Sequence, residues 1–297
     1  MDVLDGMRAF RAVVDTGSFV AGGRALGLST AWVSKRVAQL EEHLGTQLLA
    51  RTTRRLSLTD AGRLYLEHCR RLLDDLDEAE RSVGSLQASP RGRLRVTAPM
   101  SLGLTRLAKL LPAFSARYPE VELDVYFNDR YVDVVNEGFD VAVRVGAALD
   151  DSSLIARTLG RGRRVLVASP DYLGARGVPR RPAELSQHAC LRYSLHAAPS
   201  RWSFVGPRGE VSVQVGGPLQ LNNSVALATA AVLGAGLLLA PDFVVADDLT
   251  AGRLRRVLPR YEPSGYTMFA VSPPTRFVTP KVRAFVDFLV ERLARPG

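Results

Sequence analysis

The chain has 297 residues, with 39 Lys and Arg against 30 Asp and Glu, a formal net charge of +9, 46% hydrophobic residues and 23% charged ones. That length suits two folded units better than one, and the ordinary hydrophobic fraction excludes general disorder. No stretch approaches the roughly eighteen uninterrupted apolar residues of a membrane span, and the start of the chain lacks a basic segment followed by an apolar run, so the expected compartment is the cytoplasm, with no membrane contact.

The charge is unevenly placed. Residues 1–91 hold 13 basic and 12 acidic residues, yet within them 24–71 holds 9 against 4, and 72–91 holds 2 against 5. The first predicted helix, Leu4 to Asp15, puts Phe10 and Val14 on one face and stops at Gly17. Ser18 caps a short second helix, Phe19 to Leu26, because its hydroxyl can accept from the free N–H groups of the first turn. Gly27-Leu28-Ser29 then supplies a turn and a new cap. The third helix, Thr30 to Leu44, buries Val33, Val37, Leu40 and Leu44 at helical spacing and leaves Thr30, Ala31, Ser34 and Lys35 on or beside the opposite face. Leu48 to Arg51 and Arg55 to Leu58 read as a hairpin-like wing around Thr52-Thr53-Arg54.

Thr59 caps a fourth helix, Asp60 to Leu86. Tyr65, Cys69, Leu72, Leu76, Ala79, Val83 and Leu86 recur on it at alternating steps of four and three. Such a seam is expected to pair with a second copy, giving a homodimer through 60–88 in preference to packing within the chain. Small residues, Pro90 and Gly92 mark a hinge at 88–92. Beyond it, strands at 94–98, 121–127, 140–145 and 165–168 alternate with helices, the first being Leu102 to Tyr118, which Pro112 is expected to kink or divide. This alternation predicts an α/β fold with a largely parallel sheet. Strand candidates at 202–205, 211–215 and 266–272 and helices at 223–234 and 279–294 follow.

The strongest motif is the short helix, glycine turn and longer helix at 19–38. A helix fits the major groove, where side chains at its N-terminus meet base edges while neighbouring elements hold phosphates. Lys35 is placed to reach a guanine edge, with Thr30, Ala31 and Ser34 beside it. Arg51 and Arg54 suit phosphate or minor-groove contact. On composition and periodicity alone, a plain three-helix module with a solvated basic face stays open.

The residues Phe10-x-x-Val13, Gly17-Ser18-Phe19, Leu26-x-Leu28-Ser29, Val33-Ser34, Leu40-Glu41-x-x-Leu44-Gly45, Leu48-Leu49-x-Arg51-x-x-Arg54 and Leu58-Thr59-x-Ala61-Gly62 closely resemble the winged helix-turn-helix of LysR-type transcriptional regulators. Phe139 to Arg144, Ser153 to Ala156 and Gly234 to Pro241 resemble segments of that family's effector domain. The resemblance implies a multidomain protein: a winged helix-turn-helix domain (1–59), a linker and dimerisation helix (60–88) and a two-lobed α/β effector domain similar to type 2 periplasmic binding proteins (92–297). One lobe takes 92–160 and 266–293 and the other 161–265, with a cleft between them. It further implies double-stranded promoter DNA as partner, a homodimer or homotetramer, contact with RNA polymerase, and a small-molecule effector.

Ligands in such folds collect where strand ends and helix N-termini converge. That singles out Met100, Ser101, Asn128, Val145, Gly146, Asn222 and Asn223 as candidate effector contacts, each of which also reads as a cap or turn residue. Two departures from the family pattern stand out. Gly22 and Gly23 stand where alanines are usual, which is expected to leave the second helix more prone to fraying, while Trp32 either packs into the core, the preferred reading because those glycines could make room, or contacts DNA sugars and thymine methyls. There is no nucleophile elbow, phosphate loop or HExxH sequence, so an enzyme is not expected. Cys69 and Cys190 are isolated, which argues against a structural metal or a redox pair, and no cofactor is expected. The remaining alternatives are a ligand-independent repressor of the same fold and a solute-binding protein, the latter opposed by the helix-turn-helix.

Overall fold

A computed structural model describes residues 2–52, 55–84, 89–146, 154–196, 198–274 and 278–294. The chain forms two compact units, Met1–Ala88 and Ser89–Gly297.

In the first unit, α1 (Val3–Thr16), α2 (Phe19–Leu26) and α3 (Thr30–Leu44) are each begun by a side-chain cap: Asp2 accepts from Leu4 N–H, Ser18 from Val20 and Ala21, and Ser29 from Trp32. The α2–α3 turn closes on Gly27, whose φ of 67° suits a residue without Cβ. β1 (Leu49–Thr52) and β2 (Arg55–Leu58) pair antiparallel as the wing, with Leu49 opposite Leu58. α4 (Asp60–Gly84) follows. Phe10, Val13, Val33, Val37, Leu40, Leu48 and Leu49 form one buried core with Leu66, Cys69 and Leu73 of α4.

That core corrects the expected seam of α4. Cys69 is fully buried and Tyr65 packs against the same cluster, so both belong to the intrachain interface, together with Leu66 and Leu73, which the heptad reading had not chosen. Ion pairs fix the contact along α1: Arg8 with Asp77 at 3.6 Å, Arg11 with Asp74 at 2.9 Å, and Arg70 with Asp15. Leu64 and Leu72 instead point to solvent, 63% and 52% exposed, with half-buried Leu76 near them. The side chains of Ala79, Val83 and Leu86 lie outside the described residues.

Gly22 and Gly23 are also corrected. A Cβ on Gly22 would lie 3.1 Å from the Val13 backbone nitrogen, and one on Gly23 would lie 2.8 Å from the Leu28 carbonyl oxygen. The glycines let backbones approach rather than make room for Trp32. Alanines at both positions are therefore expected to yield less than the ~0.8–1 kcal/mol per residue that helix propensity offers. Thermal melts of the single variants check this, Gly23→Ala being the less favourable; a full gain at both would contradict it.

The second unit has two lobes. In lobe I, β3 (Gly92–Ala98) leads into α5 (Met100–Leu102), a π-turn at Gly103–Leu107 and α6 (Ala108–Arg117), then β4 (Val121–Phe127), β5 (Val141–Gly146) and β6 (Ile155–Gly162). The helix is not divided at Pro112, which sits inside α6; a π-turn at Gly103–Leu107 directly precedes that helix. The chain crosses at Arg163 into lobe II: β7 (Arg164–Ala168), α7 (Pro170–Arg176), a 3-10 turn at Pro182–Gln187, β8 (Cys190–Tyr193), β9 (Arg201–Gly206), β10 (Gly209–Gln214), β11 (Gln220–Leu221), α8 (Ser224–Val232), β12 (Leu237–Pro241), α9 (Asp242–Thr250), β13 (Arg255–Arg256) and β14 (Glu262–Pro263). It returns through β15 (Tyr266–Ser272) and ends with α10 (Pro280–Leu293).

The sheets run β4-β3-β5-β15-β6 in lobe I and β11-β8-β12-β7-β13 in lobe II, with β10-β9-β14 as a smaller third. Both large sheets are mixed, not largely parallel. β3 pairs parallel with β4 and β5, but β15 re-enters from the other lobe and pairs antiparallel with β5 and β6. β7, likewise a crossing strand, runs antiparallel to β12.

Candidate nucleic-acid interface and interlobe cleft

The reading face of α3 follows from its buried one. Val33, Val37 and Leu40 are wholly buried, which turns Thr30, Ala31 and Lys35 outward as exposed residues and leaves Ser34 half-buried beside them. Lys35 has no ion-pair partner among the described residues. Its neighbour Arg36 is occupied: it lies 5.1 Å from the centroid of the Trp32 ring, pairs with Asp5 at 3.5 Å and donates to Gln39 at 3.3 Å. Trp32 is half-buried against the core, so it packs inward, held from outside by Arg36.

The wing is fastened to α3 by a residue not singled out as functional in the sequence. Glu41 Oε1 accepts the N–H groups of Leu48 at 2.8 Å and Leu49 at 3.0 Å, fixing where β1 begins. At the other end, the Thr59 hydroxyl donates to the Gln47 carbonyl at 2.7 Å and accepts Gly62 N–H at 2.9 Å, capping α4. The Arg51 side chain and the whole of Arg54 lie outside the described residues.

In the second unit, the parallel pairing of β3, β4 and β5 puts their C-terminal ends on one edge of the sheet, where Met100, Ser101, Asn128, Val145 and Gly146 gather. Ser101 is buried at 6% exposure, and Asn128 Oδ1 accepts Arg130 N–H at 2.9 Å. Val145 and Gly146 lie in the ladder with β15, opposite Met268 and Thr267. From lobe II, Asn223 caps α8, its Oδ1 accepting from Val225 and Ala226 at 3.0 Å each; Asn222 beside it is exposed. Asp129, overlooked in the sequence, joins the two sides: Oδ1 accepts Met100 N–H and Oδ2 accepts Asn223 Nδ2, both at 2.9 Å. Burial, with the Asp129 charge adding to it, pushes the Tyr193 hydroxyl on β8 up to about 12. The crossings are pinned nearby, where the Tyr266 hydroxyl donates to Asp242 at 2.8 Å and Asp242 N–H to the Arg163 carbonyl at 2.9 Å.

Residues 4–63 match the family model described as "Bacterial regulatory helix-turn-helix protein, lysR family", and residues 87–294 match the one described as "LysR substrate binding domain". The chain belongs to the LysR family of transcriptional regulators. It is 43% identical over 288 residues to an HTH-type transcriptional regulator of Xanthomonas campestris pv. campestris (strain 8004), covering 96% of this chain and 83% of that one. It is 37% identical over 292 residues to the HTH-type transcriptional regulator PtxR of Pseudomonas aeruginosa, covering 98% and 93%. Among solved structures it is similar to CrgA, a LysR-type transcriptional regulator from Neisseria meningitidis, with a TM-score of 0.64, 32% identity and 98% of each chain covered. As a LysR-type regulator it combines a helix-turn-helix DNA-binding domain with a substrate-binding effector domain. Both cysteines are buried in this regulator, and burial raises the Cys69 thiol to about 11 and the Cys190 thiol to about 12, so neither is a reactive thiolate at neutral pH.

Proposed function

We propose that this regulator binds double-stranded promoter DNA as a homodimer, reading base edges with Thr30, Ala31, Ser34 and Lys35 and holding phosphates with Arg51 and Arg54. The observation that carries the reading is the division of α3 into a buried apolar face and an exposed face whose cation, Lys35, is not tied up in an ion pair among the described residues. Exposed Leu64 and Leu72 with Leu76 give α4 an apolar face turned away from α1, which suits pairing with a second copy. Two such dimers would form a homotetramer on paired half-sites and bring RNA polymerase within reach. The interlobe cleft, with Met100, Ser101, Asn128, Val145, Gly146, Asn222 and Asn223 at or near it, takes a small-molecule effector whose preference for one lobe arrangement biases the DNA-bound state. The protein acts by this linkage and not as an enzyme, in the compartment that holds the DNA.

Mapping the genomic fragments bound by the full-length protein supplies the operator. Lys35→Ala is then expected to cost about 1–3 kcal/mol at one base position and to flatten preference there, whereas loss of a phosphate contact weakens all sequences alike. Retardation of operator fragments substituted at each position checks this. An equal loss on every fragment would remove Lys35 from its role as reader.

A further inference from the structure

Asp129 stands in the turn after β4 and reaches from lobe I to lobe II. Its two oxygens are divided between the lobes, one accepting the Met100 N–H of its own lobe and the other the Asn223 side chain of the opposite lobe, at 2.9 Å each. Asn223 is held in the matching orientation. Its oxygen is committed to the first turn of α8, so its nitrogen faces Asp129. A carboxylate can serve two donors on separate oxygens, whereas an amide at the same position has a single oxygen to offer. The bond is also charge-assisted, which makes it stronger than a neutral one.

We propose that Asp129 is an interlobe latch and a tethered competitor for the cleft: it ties lobe I to lobe II through the donors that an effector there would use, so effector binding displaces the carboxylate and breaks the bridge. This rests on the reading of the cleft as the effector site. A ligand with acceptors of its own replaces the carboxylate at Met100 and Asn223, and Asp129 then swings out on its loop. The latch sets the unliganded ratio of open to closed lobes, and with it the basal state of the regulator.

The test uses the full-length protein without DNA or effector. Cys69 and Cys190 are buried, so a donor and an acceptor dye are placed on cysteines added to the surface of each lobe, and the open-to-closed ratio is read by single-molecule energy transfer. Asp129→Ala removes the latch. Asn223→Asp keeps the helix cap but sets two carboxylates face to face. The swap Asp129→Asn with Asn223→Asp restores the bridge with reversed polarity: the amide at 129 offers its oxygen to Met100 and its nitrogen to the carboxylate at 223. Each single substitution is expected to raise the open-to-closed ratio about tenfold, and the swap to return it to within about threefold of the wild type. An unchanged ratio in Asp129→Ala, or a swap as open as Asn223→Asp alone, overturns the latch. A protein that shows this pattern but retards no operator fragment would overturn the proposed function and leave the latch standing.

Discussion

Phe114→Ala is expected to destabilise the effector unit by about 3–5 kcal/mol, the cost of deleting a fully buried aromatic ring and leaving a cavity. Phe114 is wholly buried on α6, and its ring meets three others: Tyr118 at 4.9 Å, Phe285 at 5.1 Å nearly edge-on and Phe288 at 5.4 Å. Phe285 and Phe288 come from α10, so this cluster joins the helix that follows the first strand of lobe I to the last helix of the chain. The loss is therefore expected to reach beyond local packing. Denaturant unfolding of the full-length protein should show the effector-unit transition at lower denaturant with the transition of the first unit unmoved. A coincident shift of both transitions, or no shift, would contradict this placement of the ring.

Glu41→Ala is expected to cost about 2–4 kcal/mol in the first unit. One carboxylate oxygen serves the N–H groups of both Leu48 and Leu49, and bonds to a charged acceptor are worth about 1.5–3 kcal/mol each, with incomplete additivity when they share an atom. Leu48 and Leu49 are themselves core residues, so the freed N–H groups lie where water cannot readily replace the acceptor. Operator affinity should fall with stability, because the wing loses its fixed origin relative to α3. Glu41→Gln keeps an acceptor oxygen and is expected to recover most of both losses. If Glu41→Ala melts like the wild type, the anchor is not what holds the wing.

The N-terminal unit was readable wherever one residue and its near neighbours decide the outcome. Ser18 and Ser29 cap helices using N–H groups two or three residues on, and Val33, Val37 and Leu40 define a face within their own helix. α4 was harder for a physical reason. It carries two adjacent apolar stripes, one for α1 (Leu66, Cys69, Leu73) and one turned outward (Leu64, Leu72), and periodicity alone blends them into a single seam. β6 escaped notice because its four leading residues are exposed and two of its residues are arginines, so no apolar run announces it; its pairing with β15 is settled more than a hundred residues later. Asp129 was invisible for the same reason: the Met100 N–H lies 29 residues before it and Asn223 94 residues after. Trp32 packs against the core from a half-buried position, whereas Gly22 and Gly23 answer to neighbouring backbones and not to its ring.

The ladder of ion pairs between α1 and α4 bears on modular engineering. A graft that joined this reader to another sensor just after the wing would discard Leu66, Cys69 and Leu73, strip one wall from the core around Phe10 and orphan Arg8, Arg11 and Asp15. The smallest transplantable cassette therefore runs at least through Asp77, and its output helix comes with it as part of the reader's own foundation.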